Sequence, residues 1–187
     1  MPVPRFVLGD VLRWAALVSV VVALPPWGWV GGALFFLVLG GCVIPRALEA
    51  PAALDLSYCA LLLFGAWAAQ LDLYLRVGWL DVVVHAAATG LIAAMAYLAL
   101  VRLGALSLAR DPATPRWRLG RAVVTLALGT SLAVVWEMCE WFGHTQIDDR
   151  IQVGYTDTMG DLVAGGVGSA VAAVLLARGL LLAGARR

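Results

Sequence analysis

The chain has no lysine, two histidines, three cysteines and only 13% charged residues. A soluble domain carries about a quarter charged residues, so that class is excluded. Cys42, Cys59 and Cys139 are odd in number, lie in apolar runs and form no C-x-x-C pair. That excludes a disulfide framework and a cysteine zinc site, and leaves them as buried small apolar residues. All thirteen basic residues are arginine, which reads as coding bias more than chemistry. The net charge of +1 gives no sign of a nucleic-acid partner. No long polar segment remains for a second domain, so residues 1–187 are expected to form one integral membrane domain.

What is abundant is hydrophobic sequence, at 63%. Several apolar runs approach the roughly 20 residues that span a bilayer as a helix. The expected fold is all-α, a polytopic transmembrane helical bundle of about six spans. They cover residues 11–24, 29–44, 54–74, 80–101, 121–142 and 158–176. Pro25-Pro26 and Pro45 end the first two. These are short, so they can form a tilted or re-entrant hairpin. Arg5 and Arg13 before an apolar stretch also resemble a signal peptide, but no A-x-A-like site follows, so retention is expected.

Arginine sets the expected orientation. With both termini cytoplasmic, eleven arginines lie inside, and only Arg76 and Arg150 lie outside. That is a strong positive-inside bias. Trp27, Trp29, Trp79, Trp136 and Trp141 then form an outer aromatic belt. Asp72, Asp81, Glu137, Glu140, Asp148, Asp149, Asp157 and Asp161 all fall on the extracytoplasmic side, with His85 and His144. Acids contribute little to topology, so eight of the twelve on one side call for another explanation. A solvated loop accounts for Asp148 and Asp149. It fits Asp81, Glu137 and Asp161 poorly, because charge at or inside a span end is expensive.

Three helical pairs carry the candidate chemistry. Asp81 and His85 are four residues apart and share a face, so the carboxylate can orient the imidazole as a general base. The plainer account is a helix-dipole aspartate and a histidine bonded within the bundle. Glu137 and Glu140 share a face near the end of the fifth span, and two acids so close repel unless a proton, cation or arginine lies between them. The plainer account has one in water and the other paired with Arg150 or Arg76. Asp157 and Asp161 share a face of the sixth span. Asp157 or Thr156 can cap that helix, but Asp161 lies too deep to cap. Gly160, Ala164, Gly168 and Ala172 form a small-residue ridge for helix packing. Arg150, in the loop, is either a salt-bridge partner or a phosphate ligand. His144, beyond Gly143, is either a further ligand or, on the plainer account, a loop residue.

As a set, Asp81-x-x-x-His85, the Trp-Glu-x-x-Glu-Trp helix end and Asp157-Thr-Met-Gly-Asp161-Leu-x-x-Gly165 resemble the bacterial polytopic membrane family typified by YjdF. They are similar, more distantly, to the VanZ-like family. In that pattern Arg150, Asp157 and Gly165 match, while Asp161 stands where asparagine is expected. The resemblance covers roughly residues 70–175 and implies a fold, not a reaction.

Three functions fit these residues. The first is an outer-leaflet site for a lipid headgroup or phospho-lipid. There Asp81 orients His85, and Glu137, Glu140, Asp157 and Asp161 hold a divalent cation such as Mg, Mn or Ca. Arg150 then steadies a phosphate, and hydrolysis or headgroup transfer is the implied reaction class. The second is a structural or accessory protein whose acids lock the last three spans together. The third is an ion or proton transporter, although the inner halves of those spans hold only Tyr97, Thr125, Thr130, Ser131 and Ser169 as polar candidates. The expected location is the bacterial cytoplasmic (inner) membrane.

Overall fold

A computed structural model describes residues 7–107 and 116–183, and all regular structure in them is helical. The helices are α1 (Leu8–Ala47), α2 (Ala52–Gln70), α3 (Leu73–Arg76), α4 (Gly78–Arg102), α5 (Trp117–Gln146) and α6 (Tyr155–Ala177). All but the four-residue α3 are long and apolar enough to cross a membrane. They group into two compact units, Met1–Arg76 and Val77–Arg187.

In the first unit, α1 covers both of the first two expected spans. It is not one rod. Gly28 has φ 64° and ψ −159°, outside the helical region. Arg13 Nε donates to the Cys42 carbonyl at 2.8 Å. In an unbroken helix those residues would stand about 43 Å apart at 1.5 Å per residue. The chain therefore doubles back at Gly28, and α1 is a hairpin of two limbs, 8–27 and 29–47. Pro25 and Pro26 remove two amide donors just before the reversal.

Both limbs pack on α2. Trp67 of α2 meets Trp27 edge-on at 5.8 Å and Phe35 at 4.8 Å between ring centres, and its indole donates to Ser19 Oγ at 3.1 Å. Far from the reversal, Arg13 ties the three segments together. It pairs with Asp10 at 3.0 Å and with Asp55 of α2 at 2.5 Å, besides its bond to Cys42. Cys42 and Cys59 are fully buried there, as expected, whereas Cys139 lies exposed on α5. The third expected span divides: α2 ends at Gln70, and Asp72 takes φ 55°. Aspartate tolerates that left-handed conformation better than most residues.

In the second unit, α4 and α6 run parallel and α5 runs antiparallel to both. A repeating set of small residues fixes their register. A Cβ added at Gly168 would collide with the Ala86 carbonyl, and one added at Gly90 would lie 2.8 Å from the Gly168 carbonyl. At Gly165 the neighbours are Ala133 Cβ at 3.1 Å and Thr89 Oγ1 at 3.2 Å; at Gly129 they are Ser169 and Ala93. So His85, Thr89 and Ala93 on α4 step down beside Asp161, Gly165 and Ser169 on α6. On α5 the facing row is Glu137, Ala133, Gly129, Thr125 and Arg121, all buried. Each step is four residues, about one helical turn.

The helices outrun the expected spans because their punctuation differs. Gly143 packs against Ile151, and α5 continues through it to Gln146, so His144 is helical. α6 begins at Tyr155 with Gly154 as its N-cap, which puts Thr156 and Asp157 inside the first turn instead of capping it. It ends at Ala177 because Gly179, at φ 79°, closes a left-handed cap: Leu180 N–H reaches the Leu175 carbonyl at 3.0 Å and Gly179 N–H the Leu176 carbonyl at 2.9 Å.

Two substitutions and a control test these constraints by thermal unfolding in detergent. Gly28→Ala adds a methyl with nothing within 4 Å, so only its backbone conformation is strained. The expected loss is about 1–3 kcal/mol. Gly168→Ala must push α4 and α6 apart, also at about 1–3 kcal/mol. Gly166→Ala, which faces open space, should leave the midpoint unchanged or slightly raised.

Candidate functional site

The top layer of the second unit is polar where the layers below are small. Asp81 and His85 come from the first two turns of α4, Glu137 and Glu140 from α5, and Asp161 from the second turn of α6. His85, Glu137 and Asp161 lie about two turns inside their helices, roughly 10 Å below the ends. The small residues beneath let the three helices approach closely enough for these side chains to meet.

His85 is the centre. Its Nδ1 lies 3.0 Å from Asp81 Oδ1 and 3.1 Å from Asp161 Oδ1. Its Nε2 lies 4.0 Å from Glu137 Oε1. Ligand atoms of Asp81, His85 and Asp161 lie within 4.8 Å of one another, and so do those of His85, Glu137 and Glu140. Asp161 and Glu137 are buried, and Asp81 and His85 are partly exposed. The cluster is therefore shielded on the Glu137 and Asp161 side and partly exposed at Asp81 and His85.

The expected candidates sort as follows. Asp81 meets His85 as the spacing implies. Asp161, expected beside the glutamates, instead shares Nδ1 with Asp81. Glu137 faces the other side of the ring, and Glu140 completes a close group with it and His85. Asp157 is exposed, one turn above Asp161, and belongs to neither close group. Arg150 lies in the loop with its guanidinium on Asp148: Nε to Oδ1 at 2.9 Å and one terminal nitrogen to Oδ2 at 2.6 Å. His144 also stays outside, its Nδ1 2.6 Å from the Ile151 carbonyl, where it holds the loop.

The cluster holds four carboxylates and one imidazole. Among the described residues, no arginine forms an ion pair with any of the four. The ion pairs of Arg13 and Arg150 go to other acids. In the loop, hydrogen bonds from Arg150 hold the Asp148 carboxyl down at about 2. Its ordinary value is near ~4, so the native pair contributes above that pH. The contribution is lost as pH falls through about 2.

Two neighbours were not anticipated. Thr158 stands beside Glu137, and Thr89 lies one turn below His85 against Gly165. Their helical spacing was the available signal: Thr158 precedes Asp161 by three residues and Thr89 follows His85 by four. Chemically, the arrangement can hold an imidazole in one tautomer and present oxygens and a ring nitrogen to a cation.

No curated protein and no solved structure matches the chain. A family model does, over residues 9–180, nearly the whole length. This is a membrane protein with transmembrane helices, and the chain belongs to the family described as predicted membrane proteins, DUF2238, which is the YjdF-like family of the sequence resemblance.

Proposed function

We propose that the α4–α6 cluster is an extracytoplasmic site in the bacterial cytoplasmic membrane that binds a divalent cation and, through it, the phosphate of a lipid headgroup. One observation carries this. Four carboxylates and an imidazole converge from the first turns of α4 and α6 and the last turns of α5, and among the described residues no arginine forms an ion pair with them. Carboxylates at this spacing repel unless a proton or cation lies among them. The positive-inside bias supports the extracytoplasmic side. The depth suits a headgroup, and hydrolysis or headgroup transfer is the reaction class to screen. Asp157 extends the acidic face towards the surface. Arg150 is the phosphate candidate of the loop, matching an arginine of the VanZ-like pattern, and a phosphate would compete there with Asp148.

A specific contact favours a second account. Asp81, His85 and Asp161 join α4 to α6, which a purely structural network would also do. Transport has less support. Below the cluster, Ser169 and Thr125 turn their hydroxyls back to the Gly165 and Arg121 carbonyls, both at 2.8 Å. No charged side chain stands between Glu137 and Arg121 on the buried row of α5.

Thermal unfolding with Mg, Mn and Ca, wild type beside Glu140→Gln, separates the two leading accounts. A cation site predicts a raised midpoint that the folded variant lacks. At a cation concentration 100 times Kd the gain is about 2.7 kcal/mol. No response to any cation, with a strongly destabilised variant, would sink the proposal and leave the structural network. Where a cation binds, vesicles with phosphate headgroups should add further stabilisation and neutral glycolipid vesicles should not.

A further inference from the structure

Resting on that cation reading, we infer that the ion is a first-row transition-metal dication held by His85 Nε2, Glu137 and Glu140, with Asp81 and Asp161 behind the ring as positioning residues. The two faces of the imidazole are not equivalent. Nδ1 is hydrogen-bonded to Asp81 Oδ1 at 3.0 Å, and Asp161 Oδ1 lies 3.1 Å from the same nitrogen, so an N–H there has its acceptor on α4 and a second carboxylate beside it on α6. In the neutral ring that leaves the lone pair on Nε2. That nitrogen is on the side of Glu137, whose neighbour Glu140 belongs to the same close group.

The distance on that side suits a shared ion. Glu137 Oε1 is 4.0 Å from Nε2, too long for a hydrogen bond. Tetrahedral ligand atoms each about 2.1 Å from one metal stand roughly 3.4 Å apart, so Glu137 closes on Nε2 by about 0.6 Å when it binds. Glu140 offers a third atom in the same close group. A carboxylate on the far ring nitrogen is the usual support of a ligating histidine, since it fixes tautomer and ring orientation. Here Asp81 gives that support, and Asp161 lies close by on the next helix.

The donor set selects the ion. Mg and Ca take oxygen ligands, whereas imidazole favours Zn, Fe, Ni and Cu, with Mn accepting carboxylates readily. One nitrogen and two carboxylates therefore favour a first-row dication such as Zn, Fe or Mn over Mg or Ca, with Co as a further probe of the same series. Three protein ligands leave a position open for water or a phosphate oxygen, as in catalytic metal sites. His85 is then a ligand and not the general base its spacing with Asp81 suggests.

The test loads the purified full chain with Zn, Co, Mn, Mg or Ca, follows the unfolding midpoint, and records pulsed electron paramagnetic resonance of the Mn-loaded protein. The expected result is a larger rise with Zn and Co than with Mg or Ca, and a directly bound nitrogen at Mn. His85→Gln should remove the nitrogen signal, while His144→Gln should keep it. Asp81→Asn should weaken metal binding 10–100-fold. Equal binding of Mg and Mn with no nitrogen signal would overturn this inference and leave the cation reading standing. No bound metal of any kind would overturn both. Should His85→Gln fail to fold, the wild-type nitrogen signal beside His144→Gln still decides.

Discussion

The contact of α4 with α6 at Gly168 governs everything above it. There the backbone of one helix lies against the other, with the Ala86 carbonyl where a side chain would be. Interfaces of small residues allow this approach in apolar surroundings, where burial of apolar surface supplies little drive. Because the two helices are parallel, one contact sets a register that repeats each turn. Thr89 then meets Gly165, and a turn higher His85 meets Asp161 at 3.1 Å. A methyl at position 168 would not touch the acids. It would act on them by moving the helices that carry them.

The third helix completes the layers with a single buried row. From one end of α5 to the other it reads Arg121, Thr125, Gly129, Ala133 and Glu137. The charged residues lie at its ends and the smallest residues lie between. Arg121 is settled by neighbours of its own end: it donates to the Leu176 carbonyl at 3.1 Å and lies over the rings of Trp117 and Tyr97. The middle is closed by close packing and by hydroxyls bonded to their own helices. The Glu137 end is the one place on the row where a carboxylate faces other carboxylates.

Much of this was legible in the sequence, and the limits have physical causes. Apolar run length is a strong signal, so the all-helical membrane fold was within reach. Pro25-Pro26 marked the hairpin, but the reversal itself needs positive φ and so falls on Gly28. The spacings Asp81 to His85 and Glu137 to Glu140 are properties of one helix each, and they predicted which side chains share a face. Which ring nitrogen meets which acid depends on the register between helices. That register is written in Gly168, Gly165 and Gly129, whose partners no local spacing reveals. Arg150 is a similar case: many outer acids were available, and the loop pairs it with one two residues away. The division into two compact units at Val77 rests on long-range contacts, which a run of apolar helices does not reveal.

The first unit supplies an internal comparison for the second. It too carries buried acid, and there the acid is matched. Asp55, with a side chain only 8% exposed, is paired with Arg13, which also takes Asp10 and a carbonyl. Leaving a buried charge unmatched is costly, and removing one partner of such a pair typically costs ~3–5 kcal/mol. The Arg13 arrangement is what a carboxylate with only a structural duty looks like in this chain. Around His85 four carboxylates converge on one imidazole, with arginine close by in sequence at Arg150 but turned to Asp148. A network meant only to hold helices would gain by taking that arginine in. Its absence from the cluster leaves four carboxylates facing one imidazole with a proton or a cation to separate them, which is where the proposed cation site starts.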